Sequence, residues 1–246
     1  MHAIAAARKS FDPRNLLGCV TWLRSDLGIT LNGSTVSTWA NQVSGVSANA
    51  SQSTAGKQPT YATGGLGGQP KLTFAAGQAF TWALDLAGAK SVMFVLKMTS
   101  EPHTGFSVAS IKGSTGPLFT EVIVDLSGYK YVTFADDIGS FNSSGHDDVL
   151  GTTSGHVLLH TYSGSAPSSQ SSYGAALDGA VKTVVASGAI SRGGTDLGSI
   201  GGRLDASQNG AFLFNGDLYE IIVYNRVLSS QEQIDLFGYA KQLYRL

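Results

Sequence analysis

Apolar residues recur at every second position in short runs along most of this chain, and that spacing constrains the fold more than any other feature. Phe80, Trp82, Leu84 and Leu86 stand at period two, as do Val92, Phe94, Leu96 and Met98. Alternation of this kind puts one apolar row on one face of a strand, whereas a helix would need spacings of three and four. The pattern returns at Phe106 and Val108 and at Val122 and Val124. It continues through residues 129–134, 157–162 and 181–185. Between the runs lie turn signals such as Gly64-Gly65-Leu66-Gly67-Gly68, Gly193-Gly194 and Gly201-Gly202. Glycine supplies 31 of the 246 residues, nearly twice the usual share of about 7%. Many short strands joined by tight glycine turns read as an all-β sandwich.

The last strand is apolar on both faces. Leu218, Glu220, Ile222 and Tyr224 alternate with Tyr219, Ile221 and Val223, which predicts a strand covered on both sides. One helix follows. Ser229-Ser230-Gln231-Glu232 has the form of a capping box, with Ser229 at the cap and Glu232 reaching back to its amide. Ile234, Phe237, Lys241 and Tyr244 then fall at helical spacing, with Leu236, Ala240 and Leu243 broadening the face. Gly238 lies inside this helix at a cost of about 1 kcal/mol against Ala. Residues 1–15 lack the alternation and form an N-terminal arm, either a frayed end or a segment that docks on a partner. Residues 16–246 form a single domain.

Charge and length exclude several classes. The net charge is −1 with no basic stripe, so a nucleic-acid partner is not expected. No apolar run approaches membrane-span length, and Cys19 stands alone, so no disulfide can form within the chain.

Two segments resemble the concanavalin A-like, laminin-G-like jelly rolls of bacteriophage and bacterial surface proteins. The first is Trp22-Leu23-Arg24-Ser25-Asp26-Leu27-Gly28-Ile29 with Val36-Ser37-Thr38-Trp39-Ala40-Asn41-Gln42, followed by Gln58-Pro59-Thr60 and Leu72-Thr73-Phe74. The second is Ile200-Gly201-Gly202-Arg203 with residues 214–226. The resemblance implies two antiparallel sheets packed face to face, with the C-terminal helix added. It leaves function open, because this superfamily serves lectins, glucanases, adhesins and structural domains. No leader sequence is visible in residues 1–14. The resemblance therefore implies a non-enzymatic virion structural or decoration protein, made in the host cytoplasm. It would bind other virion proteins through its arm, with self-association left open. The alternative is an adhesive carbohydrate-binding module that recognises glycans at a cell surface or outside the cell.

Candidate chemistry is sparse. Glucanases of the superfamily resemble Glu-x-Asp-x-x-Glu, and here the stretch reads Asn215-Gly216-Asp217-Leu218-Tyr219-Glu220. Retaining glycoside hydrolysis needs two carboxyl groups about 5–5.5 Å apart, and the amide of Asn215 cannot be the nucleophile. No Gly-x-Ser-x-Gly occurs. No catalytic residue is therefore expected. His156 and His160 share a strand face but lie about 13 Å apart at about 3.3 Å per residue, too far to share a zinc ion. Sugar binding needs an aromatic platform beside orienting polar groups. Trp22, Trp39 and Trp82 all sit in core-like patterns, which leaves the polar segment 136–148 after Tyr129 and Tyr131. Asp136, Asp137, Asn142, His146, Asp147 and Asp148 are the candidate ligand-binding residues there. The four carboxylates flank a Gly/Ser/Asn stretch that suits calcium, the one cofactor the segment suggests.

Overall fold

The computed structural model describes residues 11–75, 77–84, 90–99, 106–111, 119–126, 129–136, 142–147, 154–163, 173–182, 185–187, 198–204, 210–211 and 213–246. Its strands in chain order begin with β1 (Cys19–Arg24), β2 (Ile29–Asn32), β3 (Thr35–Trp39), β4 (Ala50–Ser51), β5 (Thr60–Ala62), β6 (Lys71–Phe74) and β7 (Phe80–Trp82). The middle of the chain carries β8 (Lys90–Met98), β9 (Phe106–Ile111), β10 (Phe119–Leu126), β11 (Tyr129–Asp136), β12 (Asn142–Asp147) and β13 (His156–Tyr162). Then come β14 (Tyr173–Leu177), β15 (Ala180–Lys182), β16 (Val185–Ser187), β17 (Ser199–Ile200), the short pair β18 (Arg203–Leu204) and β19 (Gly210–Ala211), and β20 (Gly216–Tyr224). The helix α1 (Ser230–Tyr244) closes the chain.

Among the described residues the pairings are antiparallel and, apart from the separate pair β18–β19, make two layers. In one, β15, β14, β13, β8 and β20 lie side by side. The far edge of β20 pairs with β6 along its first residues and with β1 along the rest. In the other, the ladder runs β2, β3, β4, β7, β17, β9, β10, β11, β12 and β16. A single bridge, Thr35 to Thr60, turns the corner between them. The layers face one another because one apolar cluster draws on both. Val92, Phe94, Leu96 and Met98 of β8 meet Val36, Trp39, Phe80, Trp82 and Ile200 of the opposite layer. The expected jelly-roll sandwich of two antiparallel sheets is the fold found.

The outer face of the first layer is covered as well. Met93, Val95, Val157, Leu159, Ile222 and Tyr224 point away from the sandwich core and pack beneath Leu236, Phe237, Ala240 and Tyr244 of α1. Every residue of β20 is consequently buried. The helix begins at Ser229 with the expected capping box, completed by Glu232. Its buried face differs in two places from the sequence reading: Ile234, 62% exposed, and Lys241 both lie outside it, because the face centred on Leu236, Phe237, Ala240 and Tyr244 turns them outward.

The division of faces on β20 also differs. The ladder to β8 slips between Leu218 and Glu220. A bulge of this kind sets two consecutive residues on one side of the sheet. Tyr219 belongs with Ile222 and Tyr224 in the layer beneath α1, while Leu218, Ile221 and Val223 face the sandwich core. Glu220 stays with Ile222 and Tyr224 on the helix side, as the alternation expects, and Leu218 is the residue that parts from them. Strict period-two counting therefore puts Leu218 and Tyr219 on the wrong faces, because it has no means of seeing the slip between Leu218 and Glu220.

Residues 11–15, the last part of the sequence-assigned arm, are fastened to the domain. Pro13 is buried and its carbonyl accepts a hydrogen bond of 3.0 Å from the Tyr224 hydroxyl. Residues 1–10 lie outside the described residues.

Candidate functional site

Glu220 is fully buried beneath α1, where three donors converge on its carboxyl group. Trp22 Nε1 donates to Oε1 at 2.5 Å, the Tyr239 hydroxyl donates to Oε1 at 2.7 Å, and the Tyr244 hydroxyl donates to Oε2 at 3.0 Å. Trp22 comes from β1 and the two tyrosines from α1, so one carboxyl group ties strand, strand and helix together. Burial pushes the Glu220 carboxyl up to about 7, against the opposing pull of these hydrogen bonds and of the Arg24 charge. Arg24 lies opposite Glu220 in the β1–β20 ladder. Its guanidinium sits over the Trp22 ring, pairs with Asp26 and reaches the Tyr239 hydroxyl at 3.5 Å.

Above this cluster lies an open cleft of about 660 Å³, within the usual range for ligand sites. Trp22, Arg24 and Tyr239 form its floor. Phe11 stands at one side with its ring 5.5 Å from that of Tyr239. Gly67 and Gln69 border it from the turn before β6, and Gln242 and Arg245 from the end of α1. Gly67 is needed at this border. Its φ of +59° is left-handed, and a side chain there would strike the Leu243 carbonyl and the Tyr244 backbone. The glycine-rich turn 64–68 therefore seats the end of the helix.

The other sequence candidates fall elsewhere. Trp39 and Trp82 are in the sandwich core, and their ring nitrogens donate to the carbonyls of Arg24 and Ala48, each at 3.0 Å. Trp22 is buried too, but in the outer layer under the helix. Asp217 is held by Lys71 at 2.8 Å and Thr73 at 2.6 Å on adjacent strands. It shares no open site with Glu220. The polar segment 136–148 is not one loop. Asp136 ends β11, and Asn142, His146 and Asp147 belong to β12, with Asp136 opposite Asn142 in a hairpin. Asp137 and Asp148 lie outside the described residues. A run of Ser, Gly and Asn carries no apolar alternation, so β12 had no signal in the sequence; it forms between two partner strands, β11 and β16.

His156 and His160 both lie in β13 and are buried. His156 Nδ1 is 3.0 Å from Asp178 Oδ2. Burial raises the Asp178 carboxyl, but the His156 contact and the Val157 amide outweigh this and hold it below the usual range. Among the described residues no three His, Cys, Asp or Glu side chains gather as a metal site. Burial pushes the Cys19 thiol up to about 12, so it is a poor nucleophile. Among the described residues no helix is long and apolar enough to cross a membrane.

The cleft itself escaped the sequence reading. Its residues come from four segments between residue 11 and residue 245, and only the folded chain brings them together.

No family model and no curated protein matches the chain. Solved structures do resemble it. The binding domain of Paraclostridial Mosquitocidal Protein 1 superposes with a TM-score of 0.58 at 9% identity, over 92% of this chain and 52% of that one. Domain 4 of AbnA, a GH43 extracellular arabinanase from Geobacillus stearothermophilus, solved with arabinotriose, gives 0.55 at 13% identity over 89% of this chain and 97% of that domain. Trypanosoma rangeli sialidase in complex with sialic acid gives 0.55 at 14% identity over 93% of this chain. The chain spans about a third of that sialidase's length, 34%. At these identities the likeness establishes a shared β-sandwich jelly-roll fold.

Proposed function

We propose that the chain is a lectin-like carbohydrate-binding module without hydrolytic activity. The observation that carries this reading is the near coextensive match to the arabinotriose-bound domain 4, which the chain covers almost end to end. A match to a whole sugar-bound domain points to binding as the unit's own task. The match to the sialidase covers only a third of that protein and gives no ground for transferring hydrolysis.

The carboxyl groups support the same conclusion. Glu220 is sealed beneath the helix and Asp217 is tied down by Lys71 and Thr73. Neither is placed to work on a glycosidic bond in solvent. A module of this kind works where glycans are exposed, outside cells or at their surface. A role as a virion decoration protein has no counterpart in these likenesses, so sugar binding takes precedence.

The test is a glycan array followed by calorimetric titration of the best glycan, with reducing-sugar release measured in parallel. Saturable binding to a defined glycan class without sugar release is expected. Absence of binding across the array would remove the reading, and steady release of reducing ends would replace it with an enzyme.

A further inference from the structure

Three side chains around the cleft have polar groups that make no hydrogen bond or ion pair within the described structure: the amides of Gln69 and Gln242 and the guanidinium of Arg245. The charged groups on the floor and side are already engaged. Arg24 pairs with Asp26, and Asp12 pairs with Arg14. Arg245 also borders a second, smaller hollow of about 410 Å³ beside Lys241 and Asp178. Among the described residues Lys241, one helical turn before Arg245, forms no ion pair, although its charge helps to hold the Asp178 carboxyl down; Asp178 itself is bound to His156. Among the described residues, Arg245 and Lys241 are thus the cations along this flank that no ion pair holds.

The backbone at Arg245 adds a second observation. Its φ of 55° is left-handed, a position at a helix end that usually falls to Gly or Asn. An Arg kept there forgoes some stability at the helix terminus, as residues held in such conformations at binding sites do. The plain alternative is that Lys241 and Arg245 only complement the negative end of the helix.

We propose that this cleft binds an acidic oligosaccharide, one bearing a carboxylate on a sugar ring. Arg245 takes the carboxylate, with Lys241 adding to the field. Gln69 and Gln242 hydrogen-bond ring hydroxyls, and the half-buried rings of Phe11 and Tyr239 offer apolar surface to the C–H face of a sugar. The floor is preorganised, because Glu220 and Arg24 fix Tyr239 and Glu220 fixes Trp22, so little ordering remains to be done on binding. This assignment rests on the carbohydrate-binding reading and adds the site and the ligand class.

The experiment compares wild type, Arg245→Gln, Arg245→Gly, Gln242→Ala and His146→Ala on an array of sialylated, uronic-acid-bearing and neutral glycans, with thermal melts of each protein. Expected are binding to acidic glycans and a loss of roughly tenfold to a hundredfold in both Arg245 variants, the span of a charge-assisted hydrogen bond. Gln242→Ala should lose less and His146→Ala nothing. Arg245→Gly is the discriminating variant. It should melt no lower than wild type, because glycine suits the left-handed position, and still lose binding; a purely structural arginine would change the melt alone. Preference for neutral glycans, or full binding by the Arg245 variants, overturns the acidic cleft. Loss in His146→Ala alone moves the site to the β11–β12 hairpin and leaves the carbohydrate-binding reading standing. No glycan bound by wild type ends both.

Discussion

A carboxyl group with three donors and a nearby guanidinium would ordinarily be ionised, yet at Glu220 burial prevails and its proton is held up to about 7. The unfolded chain gives that proton up near 4.5. The folded state thus binds the extra proton across the interval between, and stability falls as pH rises through it. The contribution is complete below 4.5 and lost above 7. The measurement is urea denaturation of wild type and Glu220→Gln at pH 5 and pH 8. Wild type should lose about 2–3 kcal/mol more than the variant over that interval. Parallel profiles would show that the carboxyl is ionised throughout. None of this could be read from residues 215–220 in the sequence. Period two grouped Glu220 with Ile222 and Tyr224, the face it takes, but nothing local names Trp22, Tyr239 and Tyr244 as the groups that bury it.

Among the elements, α1 was the most legible, since Ser229 and Glu232 state its start in the sequence and the capping box forms as written. Strand β8 was equally plain, with Val92, Phe94, Leu96 and Met98 all facing the core. Residues 181–185 read as one strand but divide between β15 and β16, which pair with different partners, β14 and β12. Pairing choice is a long-range property that a local run of valines does not encode. Two glycines at the helix show the same distinction between local and distant causes. Gly238 is inside α1 with open space where a Cβ would stand, and Gly67 is far from α1 in sequence yet pressed against its last turn. Gly238→Ala should raise stability by about 0.5–1 kcal/mol, the usual helix preference. Gly67→Ala should lower it by about 1–3 kcal/mol through the left-handed backbone and the clash with residues 243–244. Thermal melts of the two variants moving in the same direction would refute the seating of the helix on turn 64–68.

At the scale of the whole molecule the chain is a sandwich plus one more layer, and the helix belongs to the fold as firmly as the strands do. The double-sided burial of β20 was legible from residues 218–224, but what covers its outer face was not, because no local pattern names a distant partner. The structure supplies it: α1 covers Met93, Val95, Val157, Leu159, Ile222 and Tyr224, and provides two of the three donors to Glu220. A chain ended at Leu228 would keep every strand and the entire inner core. It would nevertheless expose a contiguous apolar face of a size that soluble monomers rarely carry. It would also strip Glu220 of Tyr239 and Tyr244 beside a buried Trp22. If α1 were an appendage, this shortened chain would remain a monomer with a cooperative melt only slightly below that of the full protein. As an integral layer, its loss should leave a protein that aggregates or binds a hydrophobic dye and has no cooperative transition. Light scattering together with a thermal melt distinguishes the two outcomes. The cleft would disappear with the helix in either case, since Tyr239, Gln242 and Arg245 all stand on its last turns and C-cap.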